Sequence, residues 1–157
     1  MTSAPAPSTA LHAERLWPAP WVFVVTALVI PASLLVFLPI SLEAGIATAI
    51  VLYAGIVVVL LTTTPRVEVR DGVLTAGRAH IPVGLLGAAT AVDGEEARAE
   101  RGVRLDARAW LLLRGWIPGL VRVELEDPDD PTPYWLVSTR HPTALAAAIE
   151  RARSDAA

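Results

Sequence analysis

The chain has 157 residues, with 13 basic and 16 acidic side chains, a formal net charge of −3, and 54% hydrophobic residues. The absence of cysteine excludes a disulfide framework, a thiolate nucleophile and a cysteine-held zinc. Every basic side chain is an arginine, and from Pro65 onward 12 arginines stand against 14 acidic residues, a balance that argues against nucleic-acid binding and against a polybasic grip on anionic lipid.

The opening, rich in Ala, Pro, Ser and Thr, has the composition of a disordered tail, assigned to 1–13. It is not a typical secretory signal, since no basic segment precedes the apolar run that follows. Trp21 to Ile40 is a run of 20 uncharged residues, and Ala44 to Thr64 a second of 21. At about 1.5 Å rise per residue each covers roughly 30 Å as a helix, the thickness of a bilayer's hydrocarbon core. Neither is amphipathic, and so short a chain cannot bury two such helices in a soluble core. A transmembrane helical hairpin over 14–64 is expected, with spans at 21–40 and 44–64; a re-entrant hairpin is the rival.

Pro31, mid-run, predicts a kink, and Gly45 and Ala49 lie at the four-residue spacing that lets two helices approach closely. Arg15 precedes the first run, Arg66 and Arg70 follow the second, and only Glu43 lies between them, so the positive-inside rule puts both termini in the cytoplasm of a bacterial plasma membrane. Trp17 and Trp21 suit an interfacial belt.

The remaining 65–157 forms a cytoplasmic domain. Arg66 to Arg70 alternates as a half-buried strand, Asp71-Gly72 turns it, and Val73 to Arg78 returns. Pieces at His80 to Val83 and Leu85 to Val92 complete a meander of four. Asp93-Gly94-Glu95-Glu96 has the form of a capping box opening a short helix to about Arg101, with a solvated charged surface and Gly102 as its stop. Trp110 to Leu113 reads as a buried central strand, Leu120 to Glu126 as a strand with one wet face, and Tyr134 to Thr139 as the last of a three-stranded meander. From Pro142, Leu145, Ile149 and Ala152 recur at helical spacing.

The fold class is therefore α+β, a two-helix hairpin followed by a small antiparallel β domain of about seven strands and a C-terminal helix. That strand count resembles the pleckstrin-homology-like split barrel. A second resemblance rests on Glu14-Arg15-Leu16-Trp17-Pro18 and on the run from Val123 through Asp127-Pro128-Asp129-Asp130-Pro131-Thr132-Pro133-Tyr134-Trp135 to Pro142. Both are similar to stretches of a family of small actinobacterial membrane proteins known as domain of unknown function 3093. It implies the two-helix layout over nearly the whole chain from about Glu14, and brings no activity or site residue with it.

No phosphate loop, dinucleotide glycine pattern, nucleophile elbow or zinc spacing occurs, so the expectation is a non-enzymatic membrane-anchored module without cofactor, with the bilayer and a protein partner as its contacts. Arg114, Trp116, Arg122, Trp135 and Arg140 are the candidate binding patch, because aromatic and arginine anchors dominate interfaces. The plainer alternative makes the tryptophans core and the arginines solvated. An anionic-lipid-sensing domain, with a pocket beside Arg66 and Arg70, is the second reading. A membrane enzyme holding a divalent ion on Asp127, Asp129 and Asp130 is the third, against which those residue types are also what tight turns select.

Overall fold

A computed structural model describes residues 10–156. Of the expected disordered tail, 1–9 lies outside the described residues, whereas His12 and Ala13 belong to a first strand, β1 (His12–Arg15). The chain divides into two compact units: Trp17–Thr64, and a second made of the residues up to Leu16 together with those from Pro65 onward. Glu14 to Leu16 thus belong with the C-terminal domain and not with the hairpin to which the sequence reading gave them.

Within Trp17–Thr64 the first run folds as α1 (Pro20–Thr26) and α2 (Val29–Phe37), and the second as one helix, α3 (Leu42–Thr62). The break at Ala27 and Leu28 is the effect of Pro31, one turn further on. Proline has no amide to give the Ala27 carbonyl, which accepts from Ile30 N at 3.0 Å instead. At the end of α3 the hydroxyls of Thr62, Thr63 and Thr64 donate to the carbonyls of Val58, Val59 and Leu60 at 2.8, 2.6 and 2.9 Å, so carbonyls of the last turn are satisfied without water.

Gly45 and Ala49 are buried, and a Cβ on Gly45 would lie 3.2 Å from Phe37 Cβ, so the small residues do set the α2–α3 approach. The stretches Pro20–Phe37 and Leu42–Thr62 are long and apolar enough to cross a membrane, and only 11% of each is buried. The core helix of a soluble protein would be mostly covered.

In the other unit, β1 and β2 (Arg66–Arg70), β3 (Val73–Ala76) and β4 (Ala79–Pro82) form an antiparallel sheet in the order β1-β2-β3-β4. Asp71 and Gly72 both take positive φ, 50° and 73°, as the tight hairpin between β2 and β3 requires. A single 3-10 turn at Val83–Leu85 then redirects the chain, and β5 (Leu86–Val92) leaves for the second sheet. The expected four-strand meander is thereby corrected. Its fourth place is taken by β1, from the other side of the apolar pair, which no local turn signal records.

The short helix α4 (Gly94–Arg101) follows, with Asp93 at its N-cap position and Gly102 at its stop, but Asp93 makes no side-chain capping bond. Gly94, the first helical residue, takes φ 53°. Glu100 is buried at 6% exposure, not solvated.

The second sheet joins β5 to β6 (Trp110–Leu112), β7 (Leu120–Leu125) and β8 (Tyr134–Ser138) in the order β5-β7-β8-β6. β6 pairs with β8 in parallel, at the edge, with Leu111 exposed, so the expected three-stranded meander with a central Trp110 to Leu113 strand is also corrected. The loop from β6 to β7 passes over the end of β8, held there by Arg114 N to Ser138 Oγ at 2.9 Å and Thr139 N to Gly119 O at 3.1 Å. Only glycine fits at 119, where a Cβ would fall 2.6 Å from Pro142 Cγ.

Strand alternation then builds the core. Val67, Val69, Leu74 and Ile81 of the first sheet, Val121, Val123 and Val137 of the second, and Leu145, Ile149 and Ala152 of α5 (Pro142–Ala156) form one buried cluster with Leu16. Residues of the opposite parity, Leu120, Tyr134 and Leu136, join Val92 and Ala97 in a smaller one. Each fully buried Leu or Val contributes roughly 1.5–3 kcal/mol.

Candidate functional site

The pairing of β1 with β2 places side chains of opposite character on the two faces of the first sheet. Arg15 stands opposite Arg66, Ala13 opposite Glu68, and Glu68 in turn opposite Thr75. Those residues share the outer face with Arg70, and Ala13, Glu14, Arg15, Arg66, Glu68 and Arg70 line an open cleft of about 340 Å³. Glu68 holds Arg70 in an ion pair at 2.8 Å. Arg66 pairs with no carboxylate among the described residues.

On the inner face His12 and Glu14 alternate with Ala13 and Arg15 and point toward the junction of β8 with α5. Glu14 Oε2 accepts from Thr139 Oγ1 at 2.5 Å, and Glu14 Oε1 from the Arg140 amide at 3.0 Å. Arg140 Nη1 reaches both Glu14 Oε1, at 3.5 Å, and the Arg15 carbonyl, at 3.3 Å. His12 Nε2 lies 3.8 Å from Glu14 Oε2 and is buried without a hydrogen-bond partner among the described residues. Burial pushes the His12 imidazole below its ordinary range, Glu14 works against that and His141 adds to it.

The five residues of the candidate patch do not converge. Trp135 stacks on Trp110, ring centroids 4.2 Å apart, and is buried in the core. Arg122 emerges from the opposite face of the same sheet, where its guanidinium lies 4.0 Å from the Tyr134 ring centroid and 3.2 Å from Glu100. Adjacent strand positions point to opposite sides, which linear proximity of arginines and tryptophans conceals. Arg140 belongs to the Glu14 cluster. Arg114 and Trp116 do stay together, 5.9 Å from guanidinium carbon to ring centroid.

In the aspartate-rich turn, Asp127 accepts from Asp129 N at 3.0 Å and Asp130 from Thr132 N at 2.9 Å, and the Thr132 bonds hold the Asp130 carboxyl below its usual range. These are turn-forming contacts. Among the described residues no group of three acidic or histidine side chains is placed to hold a metal ion.

Sequence reasoning gave Glu14 and His12 no role, since their partners lie beyond the apolar pair. The one available pointer is that Glu14 and Thr139 through His141 fall in the two stretches that carried the family resemblance. No curated protein and no solved structure matches the chain. The sequence model of one family, described as Protein of unknown function (DUF3093), matches residues 11–149, a span that includes both partners of the Glu14–Thr139 bond, both apolar runs and both sheets. With most of its length matched, the chain belongs to that family.

Proposed function

We propose that this chain is a membrane-anchored, non-enzymatic binding module, crossing the bilayer twice and working through its β domain on the cytoplasmic side. The observation that carries this reading is the hydrogen bond from Leu16 N to the Pro65 carbonyl, 3.0 Å, beside the Arg15–Arg66 pair. The chain enters and leaves the apolar helices through residues bonded to one another, so the two ends of the hairpin share one side of any membrane the helices cross. Arg15, Arg66 and Arg70 flank the pair and Glu43 is the charge between its helices, which favours the cytoplasm for that side. Apolar stretches of 18 residues, with a break at Ala27 and Leu28, and of 21 residues have spanning length, which favours two crossings over a re-entrant loop.

The lack of native cysteine makes the test direct. In intact cells a membrane-impermeant maleimide is expected to label Glu43→Cys, and to label Asp155→Cys only after the membrane is opened. Labelling of Asp155→Cys in intact cells overturns the side assignment. Extraction of the whole chain by alkaline carbonate overturns the anchoring.

A further inference from the structure

We infer that β1 is an acid-released strap: protonation of His12 breaks the bonds of Glu14 to Thr139 and Arg140 and undocks His12–Arg15 from β2, while the other strands stay folded. The inference concerns the β domain alone and stands whether or not the chain is anchored in a membrane.

The side chains of His12 and Glu14 are only 10% and 9% exposed. His12 Nε2 has no hydrogen-bond partner among the described residues, and the carboxylate 3.8 Å from it is already engaged. Glu14 Oε2 accepts from Thr139 Oγ1 and Glu14 Oε1 from the Arg140 amide, with Arg140 Nη1 at 3.5 Å. A neutral imidazole occupies this site at the cost of an unmade bond. An imidazolium does not, because a buried cation needs an acceptor of its own. It obtains one by drawing Glu14 away from Thr139 and Arg140, or by leaving for water, and either course undoes the latch.

The surroundings of the ring do not relieve the charge. Its cross-strand neighbour on β2 is Val69, and Arg15, Arg66, Glu68 and Arg70 alternate to the other face of the sheet. The helix α5, which packs against β1, buries Leu145, Ala148, Ile149 and Ala152 and turns Glu150 to the Ala89 amide and Arg153. His141, just before that helix, opposes a charge on His12, and Arg140 is a second cation.

Burial is the chief reason that the docked His12 titrates below 6.5, with Glu14 acting against the shift and His141 with it. A hydrated His12 takes the proton more readily than a docked one. Undocking therefore gains up to about tenfold per pH unit as pH falls from the ordinary value toward the lower docked one. Leu16 is fully buried and its amide donates to the Pro65 carbonyl at 3.0 Å, so release stops at Arg15. It bares the edge of β2, whose backbone groups β1 otherwise pairs.

The test is hydrogen exchange of the full-length chain in neutral detergent, read by mass spectrometry at about pH 7.5, 6.5 and 5.5 and corrected for the intrinsic pH dependence of exchange. His12–Arg15 is expected to lose about threefold to tenfold in protection over the last unit, while Leu120–Leu125 and Tyr134–Ser138 keep theirs. In H12Q the pH response of β1 is expected to vanish. Should H12Q leave β1 unprotected at every pH, His12→Phe, which fills the buried site without a titratable proton, takes its place with the same expectation. Protection lost equally in every strand is global unfolding and overturns the strap. Protection of β1 that does not change with pH in wild type, or a response that persists in the His12 variant, overturns the trigger.

Discussion

Glu14 and Thr139 are 125 residues apart and share a hydrogen bond of 2.5 Å, which ties the strand before the apolar helices to the end of the last strand after them. Thr139 is fully buried, and the same carboxylate takes the Arg140 amide. Glu14→Ala leaves a buried hydroxyl and an amide without their acceptor and is expected to destabilise the β domain by about 2–3 kcal/mol. Glu14→Gln keeps one acceptor oxygen and is expected to cost about half as much. Thermal melting of the purified full chain checks both, and an Ala variant that melts with wild type removes the structural role assigned to the bond.

His12 makes stability depend on pH. Its folded pKa lies below the ordinary 6.5, chiefly through burial, so the unfolded chain takes up the proton more readily. Stability is therefore full above the unfolded value and falls as pH drops through it. The melting temperature is expected to be level above about pH 7 and to decline as pH drops through the unfolded value toward the lower folded one, and His12→Gln to flatten that slope. His80 and His141 are exposed, and a slope unchanged in His12→Gln assigns it to other groups.

Two glycines of α3 separate packing from helix propensity. Gly45 meets Phe37 Cβ at 3.2 Å and Leu34 Cδ2 at 3.5 Å, while Gly55 has nothing within 4 Å of an added Cβ. Gly45→Leu is expected to force α2 and α3 apart and lower the melting temperature in detergent, whereas Gly55→Leu leaves it unchanged or raises it slightly. Equal behaviour of the two shows that the close approach contributes nothing to stability.

Arg122 holds the buried Glu100 against the second sheet. Arg122→Ala leaves that carboxylate with Arg104, 3.5 Å away and itself half exposed, and is expected to cost about 2–3 kcal/mol. Removing both charges in Arg122→Met with Glu100→Gln is expected to recover most of the loss, as measured by a double-mutant cycle in thermal melting. Additive losses argue that the two side chains act independently.

The sequence by itself determined what depends on neighbours within a few residues. The two apolar runs, the Asp71-Gly72 hairpin, the limits of α4 and the buried stripe of Leu145, Ile149 and Ala152 follow from hydrophobic period and turn chemistry. Only the tertiary structure decided which strand lies beside which. β1 crosses the whole apolar pair in sequence to reach β2, β5 changes sheets at a 3-10 turn, and β6 joins β8 in parallel. A strand's alternation states which residues face inward but not the identity of its neighbour, because pairing free energy comes from partners far along the chain. The same holds for the sites. Arg15, Arg66 and Arg70 were legible as flanking cations, but their meeting on one face, and the parting of Arg122 from Trp135 to opposite faces, are consequences of register.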